Sequence, residues 1–331
     1  MSVRIIKPGV QATLQDFGRW GFQSLGVPVS GAMDEDAYIR ANLLVGNEEH
    51  EGCIEFTLHG AEIEFESDAV IALCGGGSTV IVNDAYVPFE KSVRIKRGSV
   101  LKFKPHQQGC RCYLAIAGGL RIKKVLNSQS TYLPARLGGL QGRMLQPHDR
   151  LGINPHKSVL AERIERSLPV NTTNFAVASW SIPSKETVSQ NSIRIYSGAE
   201  WNWLANEDQK KITANALTIS PSSNRIGYRL QGVKIKKQTT EELVSASVTK
   251  GTVQLTPEGN LIILMADGQT TGGYPRIAQV AAVDLPRCAQ LQIGAQIQFQ
   301  LISFAEAEDL FLRRAHEREE TKRSITTRFS V

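Results

Sequence analysis

Apolar and polar residues alternate in short runs along most of this chain, and a period of two is the mark of strands with one buried face. Ile54, Phe56 and Leu58 form one such run, Ile63 and Phe65 a second, and Val93, Ile95, Leu101 and Phe103 continue the pattern. Val80 and Val82 precede Asn83-Asp84, with Tyr86, Val87 and Phe89 after it, which predicts a hairpin because both turn residues tolerate positive φ. Val253-Gln254-Leu255, the turn residues Thr256-Pro257-Glu258-Gly259-Asn260 and the run Leu261 to Met265 predict another. The second strand of that hairpin is apolar on both faces and is expected to be buried on both. Helical spacing is clear in three places: Asp34 to Leu44, capped by Ser30 or Asp34; Lys157 to Ser167; and Ala305 to Glu320. The expected protein is mainly β.

Residues 93 to 103 and 289 to 299 share a Gly-to-Phe interval, Gly98 to Phe103 and Gly294 to Phe299, within similar alternation. Two related barrels or a convergent strand-turn-strand both account for the match. From Asn154 to Ser192 there is no glycine and little alternation, so this segment reads as a linker or insertion around one helix. The expected division is a first β-barrel over 1–153, the linker over 154–192, a second β-barrel over 193–303 and a charged helical tail over 304–331.

Length fits this division, since 331 residues suit about two domains. With 41% hydrophobic and 21% charged residues the chain can bury a sizeable core. Its longest clean apolar run, Leu261 to Ala266, is far below the 18 or so residues of a spanning helix, so no membrane role is expected. Five scattered cysteines and the absence of an export-type leader fit a reducing, cytoplasmic setting. The net charge of +6 is less telling than its distribution. Residues 91 to 124 carry ten Lys or Arg and no acid, whereas residues 48 to 68 carry eight acids and no Lys or Arg. A mutually neutralising face or the docking of an acidic protein explains this better than nucleic acid, because no recognition helix, zinc finger or aromatic RNA-binding motif accompanies the basic stretch.

Several chemistries lack their residues. Gly75-Gly76-Gly77-Ser78-Thr79 has no following lysine and leads into a strand, so it reads as a tight strand exit and not a phosphate loop. There is no G-x-S-x-G elbow, and neither His316-Glu317-Arg318-Glu319-Glu320 nor Cys110-x-Cys112 supplies a metal-ligand set. Three dense polar segments remain. The first joins Lys7 to Gly21 with Leu25 to Asp34 and contains Asp16, Arg19, Ser30 and Asp34. The second is Ser128-Gln129-Ser130-Thr131-Tyr132 with Gly138 to Arg143. The third is Asp267-Gly268-Gln269-Thr270-Thr271-Gly272-Gly273-Tyr274-Pro275, preceded by Arg225 and Arg229. Hydroxyls beside Gly-Gly present side-chain and backbone donors at close approach, which suits an amide, carboxylate or phosphate; tight turns use the same residues. Thr270 and Thr271 are candidate oxyanion donors and Asp267 a candidate base or amide-orienting group. Arg143, Arg225 and Arg229 offer the paired donors that clamp a carboxylate.

These segments resemble the family called allophanate hydrolase subunit 2, or biotin-dependent carboxyltransferase, which includes the C component of bacterial 5-oxoprolinase and the regulator KipA. The motifs K-P-G-x-Q-x-T-x-Q-D-x-G-R-x-G, L-G-V-P-x-S-G-A-M-D, L-V-G-N, G-G-L-x-G-R and Q-T-T-G-G-Y-P stand in the family's order from about residue 3 to 303. The chain departs from the commoner form at Ser245-Ala246-Ser247-Val248 and Asn127. The resemblance implies two cyclophilin-like β-barrel subdomains, and a protein that works with a subunit 1-type (KipI-like) partner. It further implies a large third subunit and ATP-dependent opening of 5-oxo-L-proline, with ATP used by the assembly and no cofactor or metal held by this chain alone. Carboxylation of urea in a biotin-dependent enzyme and non-enzymatic regulation of a kinase inhibitor are the alternatives it leaves. On this reading Asp267, Thr270 and Thr271 are catalytic, and Gln269, Gly272, Gly273, Tyr274, Arg143, Arg225, Arg229, Asp16, Arg19, Ser30 and Asp34 bind substrate.

Overall fold

The computed structural model describes residues 1–170, 175–182 and 191–329. The chain forms two compact units: Met1–Gly18 with Asp34–Lys185 and Arg318–Val331, and Arg19–Met33 with Glu186–Glu317. Both are built mainly from strands.

The first unit begins with β1 (Ser2–Pro8), β2 (Gln11–Gln15), α1 (Glu35–Leu44), β3 (Cys53–Thr57), β4 (Ala61–Phe65) and β5 (Ala69–Gly75). It continues with β6 (Ser78–Val82), β7 (Ala85–Tyr86), β8 (Ser92–Ile95), β9 (Val100–Pro105) and β10 (Arg111–Ile116). Then come β11 (Arg150–Gly152), α2 (Val159–Ser167) and β12 (Phe175–Val177). Two six-stranded sheets, ordered β11-β1-β4-β9-β6-β7 and β12-β8-β5-β10-β3-β2, share one core that includes Ile5, Phe56, Ile63, Phe65, Leu73 and Phe103. The alternation seen in sequence is the inward half of these strands: Ala61, Ile63 and Phe65 are buried while Glu62 and Glu64 are half-exposed.

The hairpin at Asn83-Asp84 forms as expected, with φ of 48° and 64° on the two residues between β6 and β7. The Gly75-Gly76-Gly77 run is a strand exit, and a Cβ on Gly77 would lie 2.7 Å from the Cys110 carbonyl carbon. Of the two candidate caps for α1, Asp34 serves: its carboxylate accepts from the Ala37 N–H at 2.9 Å. Register decides where the acidic stretch finds its partners. β1 lies beside β4, so Glu62 meets Lys7 at 2.7 Å and Glu64 meets Arg4, while Arg150 of β11 reaches Glu66 at 2.9 Å. From the basic stretch, Lys102 stands opposite Glu62 in the ladder and Arg111 approaches Glu55 at 4.0 Å.

The segment read as a linker holds α2, capped by Ser158, and β12, which pairs with β8. Its residues 171–174 and 183–190 lie outside the described residues.

The second unit contains β13 (Ser192–Ser197), α3 (Asn206–Ala214), β14 (Leu217–Ile219), β15 (Gly227–Gln231), β16 (Ala246–Ser247) and β17 (Thr252–Leu255). It continues with β18 (Leu261–Leu264), β19 (Thr271–Gly272), β20 (Arg276–Val280), α4 (Leu285–Gln290) and β21 (Gln296–Leu301), and with α5 (Phe304–Arg328) as far as Glu317, the helix residues from Arg318 on being grouped with the first unit. Seven strands close a barrel in the order β13-β20-β17-β18-β15-β14-β21, with β13 and β21 joined in parallel. β18 is buried on both faces for two reasons. Leu261 and Ile263 point into the barrel core, whereas Ile262 and Leu264 pack with Val248 in a separate outer cluster. The two stretches compared as a repeat share the Gly turn, with φ of 83° at Gly98 and 84° at Gly294, and the strand that follows. A strand precedes the first turn and helix α4 the second, so the likeness is confined to turn and exit strand.

α5 runs to Arg328, beyond the expected Glu320. Among the described residues no helix is long and apolar enough to cross a membrane.

Candidate functional site

Each unit gathers part of the sequence-derived set. In the second unit the β15–β18 ladder is extended past Gly227 and Leu264 by Met265 N–H to Ile226 O at 2.9 Å and Asp267 N–H to Arg225 O at 2.8 Å. Arg225 and Asp267 therefore leave adjacent strands side by side. The guanidinium donates twice to the carboxylate, Nε to Oδ2 at 2.9 Å and Nη2 to Oδ1 at 3.0 Å, and Nη2 also donates to the Gly31 carbonyl at 2.6 Å. Ser30 Oγ–H donates to Asp267 Oδ1 at 2.7 Å, and Lys250 Nζ donates to the Ala32 carbonyl at 3.1 Å. Arg225, Asp267 and Ser30 are all buried. This geometry places Arg225 and Asp267 on each other and on the 30–32 loop: the guanidinium is engaged by a carboxylate of its own chain, and Asp267 is a held carboxylate instead of an open base.

The rest of the third polar segment is more open. β19 pairs with β16, Ser247 opposite Thr271 and Ala246 opposite Gly272, and Val248 N–H donates to Thr270 O at 3.0 Å. Gln269, Thr271, Gly273 and Tyr274 are exposed on this ribbon, while Thr270 and Gly272 are half-buried. Val248 packs it against Ile262 and Leu264 of the barrel, and polar contacts add to this. Gln254 Nε2 donates to Tyr274 O at 3.3 Å, and Arg276 Nη1 donates to Ser247 O at 3.2 Å while Nε and Nη2 grip Glu200 at 3.0 and 2.8 Å. A Cβ at Gly272 would lie 2.7 Å from Gln254 Nε2, so glycine there lets the ribbon sit close. The ladder sets Ile262 of β18 opposite Arg229 on one side and Gln254 on the other. Arg229 and the ribbon's support thus share one outer face of the barrel.

In the first unit Asp16 is a hub. Its Oδ1 accepts from Gly18 N–H at 2.8 Å and from the Ser128 hydroxyl at 2.7 Å, and its Oδ2 accepts from Gln129 N–H at 2.5 Å. Asp16 thereby joins the first polar segment to the second. Gly139 packs under Thr131, where a Cβ would fall 1.9 Å from Oγ1. Arg143 lies apart from this hub and is held by Asp149 through two bonds of 2.7 and 2.9 Å, which keep the Asp149 carboxyl below its usual range. Arg19 is fully buried and Asp34 serves the α1 cap.

Sequence reasoning passed over a buried polar row under α1. Thr13, Glu55, Tyr113 and Cys74 stand opposite one another across β2, β3, β10 and β5. The Tyr113 hydroxyl donates to Glu55 Oε2 at 2.6 Å and accepts from Asp34 N–H at 2.8 Å. Burial, reinforced by the Glu55 and Asp34 carboxylates, pushes its ionisation well above the ordinary range, so it stays a neutral donor. The alternation of Ile54 and Phe56 reads Glu55 as solvent-facing, whereas Cys53 to Phe56 are all buried, so the pattern itself carried no signal for this row. Burial likewise raises the Glu90 carboxyl, against the opposing effect of Arg40 at 2.9 Å. All five cysteines are free and buried, and among the described residues no cluster of His, Cys, Asp and Glu could hold a metal ion.

A family model described as "Carboxyltransferase domain, subdomain A and B" matches residues 25–301. The C component of 5-oxoprolinase from Escherichia coli is 38% identical over 307 residues, covering 92% of this chain and 93% of that protein. The same component from Haemophilus influenzae is 34% identical, with 91% of each chain covered. Urea amidolyase of Saccharomyces cerevisiae is 30% identical over 93% of this chain but only 17% of its own length. In structure, urea amidolyase of K. lactis superposes with a TM-score of 0.85 and 28% identity over 97% of this chain. The chain spans 20% of that larger protein.

Proposed function

The chain belongs to the carboxyltransferase domain (subdomain A and B) family, and from that premise we propose that it is the C component of an ATP-dependent 5-oxoprolinase. The observation that carries this reading is the 38% identity to a 5-oxoprolinase component that extends over nearly the whole of both chains. A likeness to urea amidolyase covers this chain equally well but leaves most of the larger protein unmatched.

The reaction opens the amide bond of a five-membered lactam with water and is coupled to hydrolysis of ATP. ATP is used by the assembled complex, with a subunit 1-type protein and a large catalytic subunit as partners in the cytoplasm. This chain's contribution is positioning. A lactam offers one C=O acceptor and one N–H donor. The exposed Thr271 hydroxyl, the Thr270 hydroxyl and the Gln269 amide supply donors to the carbonyl oxygen as charge develops on it. Gly272 and Gly273 let the ring approach the backbone, and Tyr274 covers it. Asp267 acts one step back: with Arg225 and Ser30 it fixes the end of β18 from which the ribbon departs.

The deciding experiment is reconstitution. The purified chain alone should show no 5-oxoproline-dependent ATP hydrolysis, and addition of its subunit 1-type and large partners should restore it. Turnover by the chain alone would overturn the reading of it as one part of a larger enzyme. Biotin-dependent incorporation of bicarbonate into urea by the assembly would assign the chain to the carboxylase half of the family instead. Co-purification of a kinase inhibitor, without either activity, would assign it to the regulators.

A further inference from the structure

A groove of about 410 Å³ runs along the outside of the barrel between β14, β15 and the β17–β18 turn. Ser220, Ser222, Arg229, Lys234, Thr256, Glu258 and Asn260 supply its polar wall. Its size is within the range that holds small ligands.

Counting donors against acceptors shows what chemistry it lacks. The Arg229 guanidinium, exposed on β15, makes no hydrogen bond or ion pair among the described residues, although its backbone is fixed by Ser220 N–H to Arg229 O at 2.9 Å and Arg229 N–H to Ser223 Oγ at 3.0 Å. Its five N–H donors therefore line the wall with no acceptor from the described residues. Lys234 Nζ uses one donor on Asn260 Oδ1 at 2.7 Å and keeps two. Ser220 and Ser222 hydroxyls lie 3.0 Å apart, so one of their two protons lies between them and the other remains to be donated. Against these stands one acid, Glu258. Thr256 is the main cause that holds its carboxyl below the ordinary range, with Lys234 and Arg229 adding smaller contributions, so it remains charged and already engaged.

We propose that this groove binds a small oxyanion, a carboxylate or a phosphate, with Arg229 as its principal donor and Lys234 and Ser222 completing the shell. The excess of donors and the net positive wall call for a ligand that only accepts. A guanidinium suits either group because both present two oxygens at the spacing of its fork. Because Arg229 and Gln254 flank Ile262, the groove adjoins the ribbon on the same barrel face, yet the proposal does not depend on the ribbon's substrate.

The test is calorimetric titration of the full chain at low salt with inorganic phosphate and, separately, with acetate, with chloride at matched ionic strength as the reference. Binding of either with a Kd below about 10 mM, weakened tenfold or more by Arg229→Gln and partly kept by Arg229→Lys, is the expected result. The tighter of the two anions identifies the ligand as a phosphate or a carboxylate. Arg229 is exposed, so these variants should keep the wild-type melting temperature. Lys124→Gln, an exposed lysine of the other unit, is the charge control and should bind as wild type does. No binding by the wild type, equal binding by Arg229→Gln, or an equal loss in Lys124→Gln would each overturn the proposal.

Discussion

Arg225 holds Asp267 by two parallel hydrogen bonds of 2.9 and 3.0 Å, with both side chains almost completely buried. Removing one member leaves a buried charge without its counterion, which costs about 3–5 kcal/mol. Arg225→Met and Asp267→Asn should each lower stability by that order in urea denaturation. The pair replaced together should cost less than the sum of the two single changes, and strict additivity would show that the two groups do not depend on each other.

Thr271 is exposed, so the conservative change Thr271→Val should leave the melting temperature of the chain within a degree or so. In the reconstituted complex it should lower turnover by on the order of 10², the effect of losing one donor to a developing oxyanion. A variant that melts several degrees lower and turns over normally would make the ribbon a structural element only.

Gly142 and Gly294 separate two costs of replacing a glycine. Both have positive φ, 67° and 84°, but a Cβ on Gly142 would lie 1.9 Å from the Arg136 carbonyl oxygen whereas one on Gly294 meets nothing within 4 Å. Gly294→Ala should cost about 1–2 kcal/mol from backbone conformation alone. Gly142→Ala should cost clearly more, because backbone must also move. Denaturant midpoints of the two variants, compared directly, check this order.

Asp149 gives the first unit an acid-side weakness. Its hydrogen bonds from Arg143 are the main reason that its carboxyl lies below the ordinary 3.8, with burial acting the other way. The unfolded chain therefore takes up this proton first as pH falls, so the stabilisation is complete above about pH 4 and is lost as pH falls through the lower folded-state value. Asp149→Asn should cost about 1 kcal/mol at pH 7 and progressively less toward pH 3, read from urea melts across that range.

The five cysteines should be silent in the native protein. Burial raises the Cys288 thiol to about 12, and Cys53, Cys74, Cys110 and Cys112 are likewise buried with raised values. Thiolate is the reactive form, so a disulfide reagent at pH 8 should label none until denaturant is added, and then all five. Fast labelling of any one without denaturant would place that thiol in an open position.

Local chemistry explains which parts of this structure could be read from sequence. The Asn83-Asp84 hairpin was legible because both turn residues need positive φ, and α1 because its apolar residues recur at helical spacing. α3 was not, since Asn206–Ala214 buries only Asp208 and Ile212 and has no side-chain cap. α4 is six residues long with proline in its first turn, too short to show a period. At the site, the Thr270 to Tyr274 motif stood out by composition, but its cover strand Ala246–Ser247 has no alternation to announce it. The bond from Ser128 to Asp16 spans 112 positions, a separation at which periodicity carries no information. Arg225 and Arg143 are expected from their type to clamp a substrate carboxylate, and the carboxylates they meet in the structure are Asp267 and Asp149 of this chain, partners that residue type alone does not reveal.

The second core includes Met33, fully buried among Ile193, Ile263 and Phe299, and the 30–32 loop is tied to Asp267, Arg225 and Lys250. On a ribosome, Met33 is made some 160 residues before Ile193. The nascent first unit must therefore leave an unfilled loop waiting while the remainder is translated. A gene cut between the two units would yield a second half that lacks the Met33 plug and the Ser30 hydroxyl on Asp267, so split-protein and half-domain designs must carry residues 19–33 with the C-terminal piece.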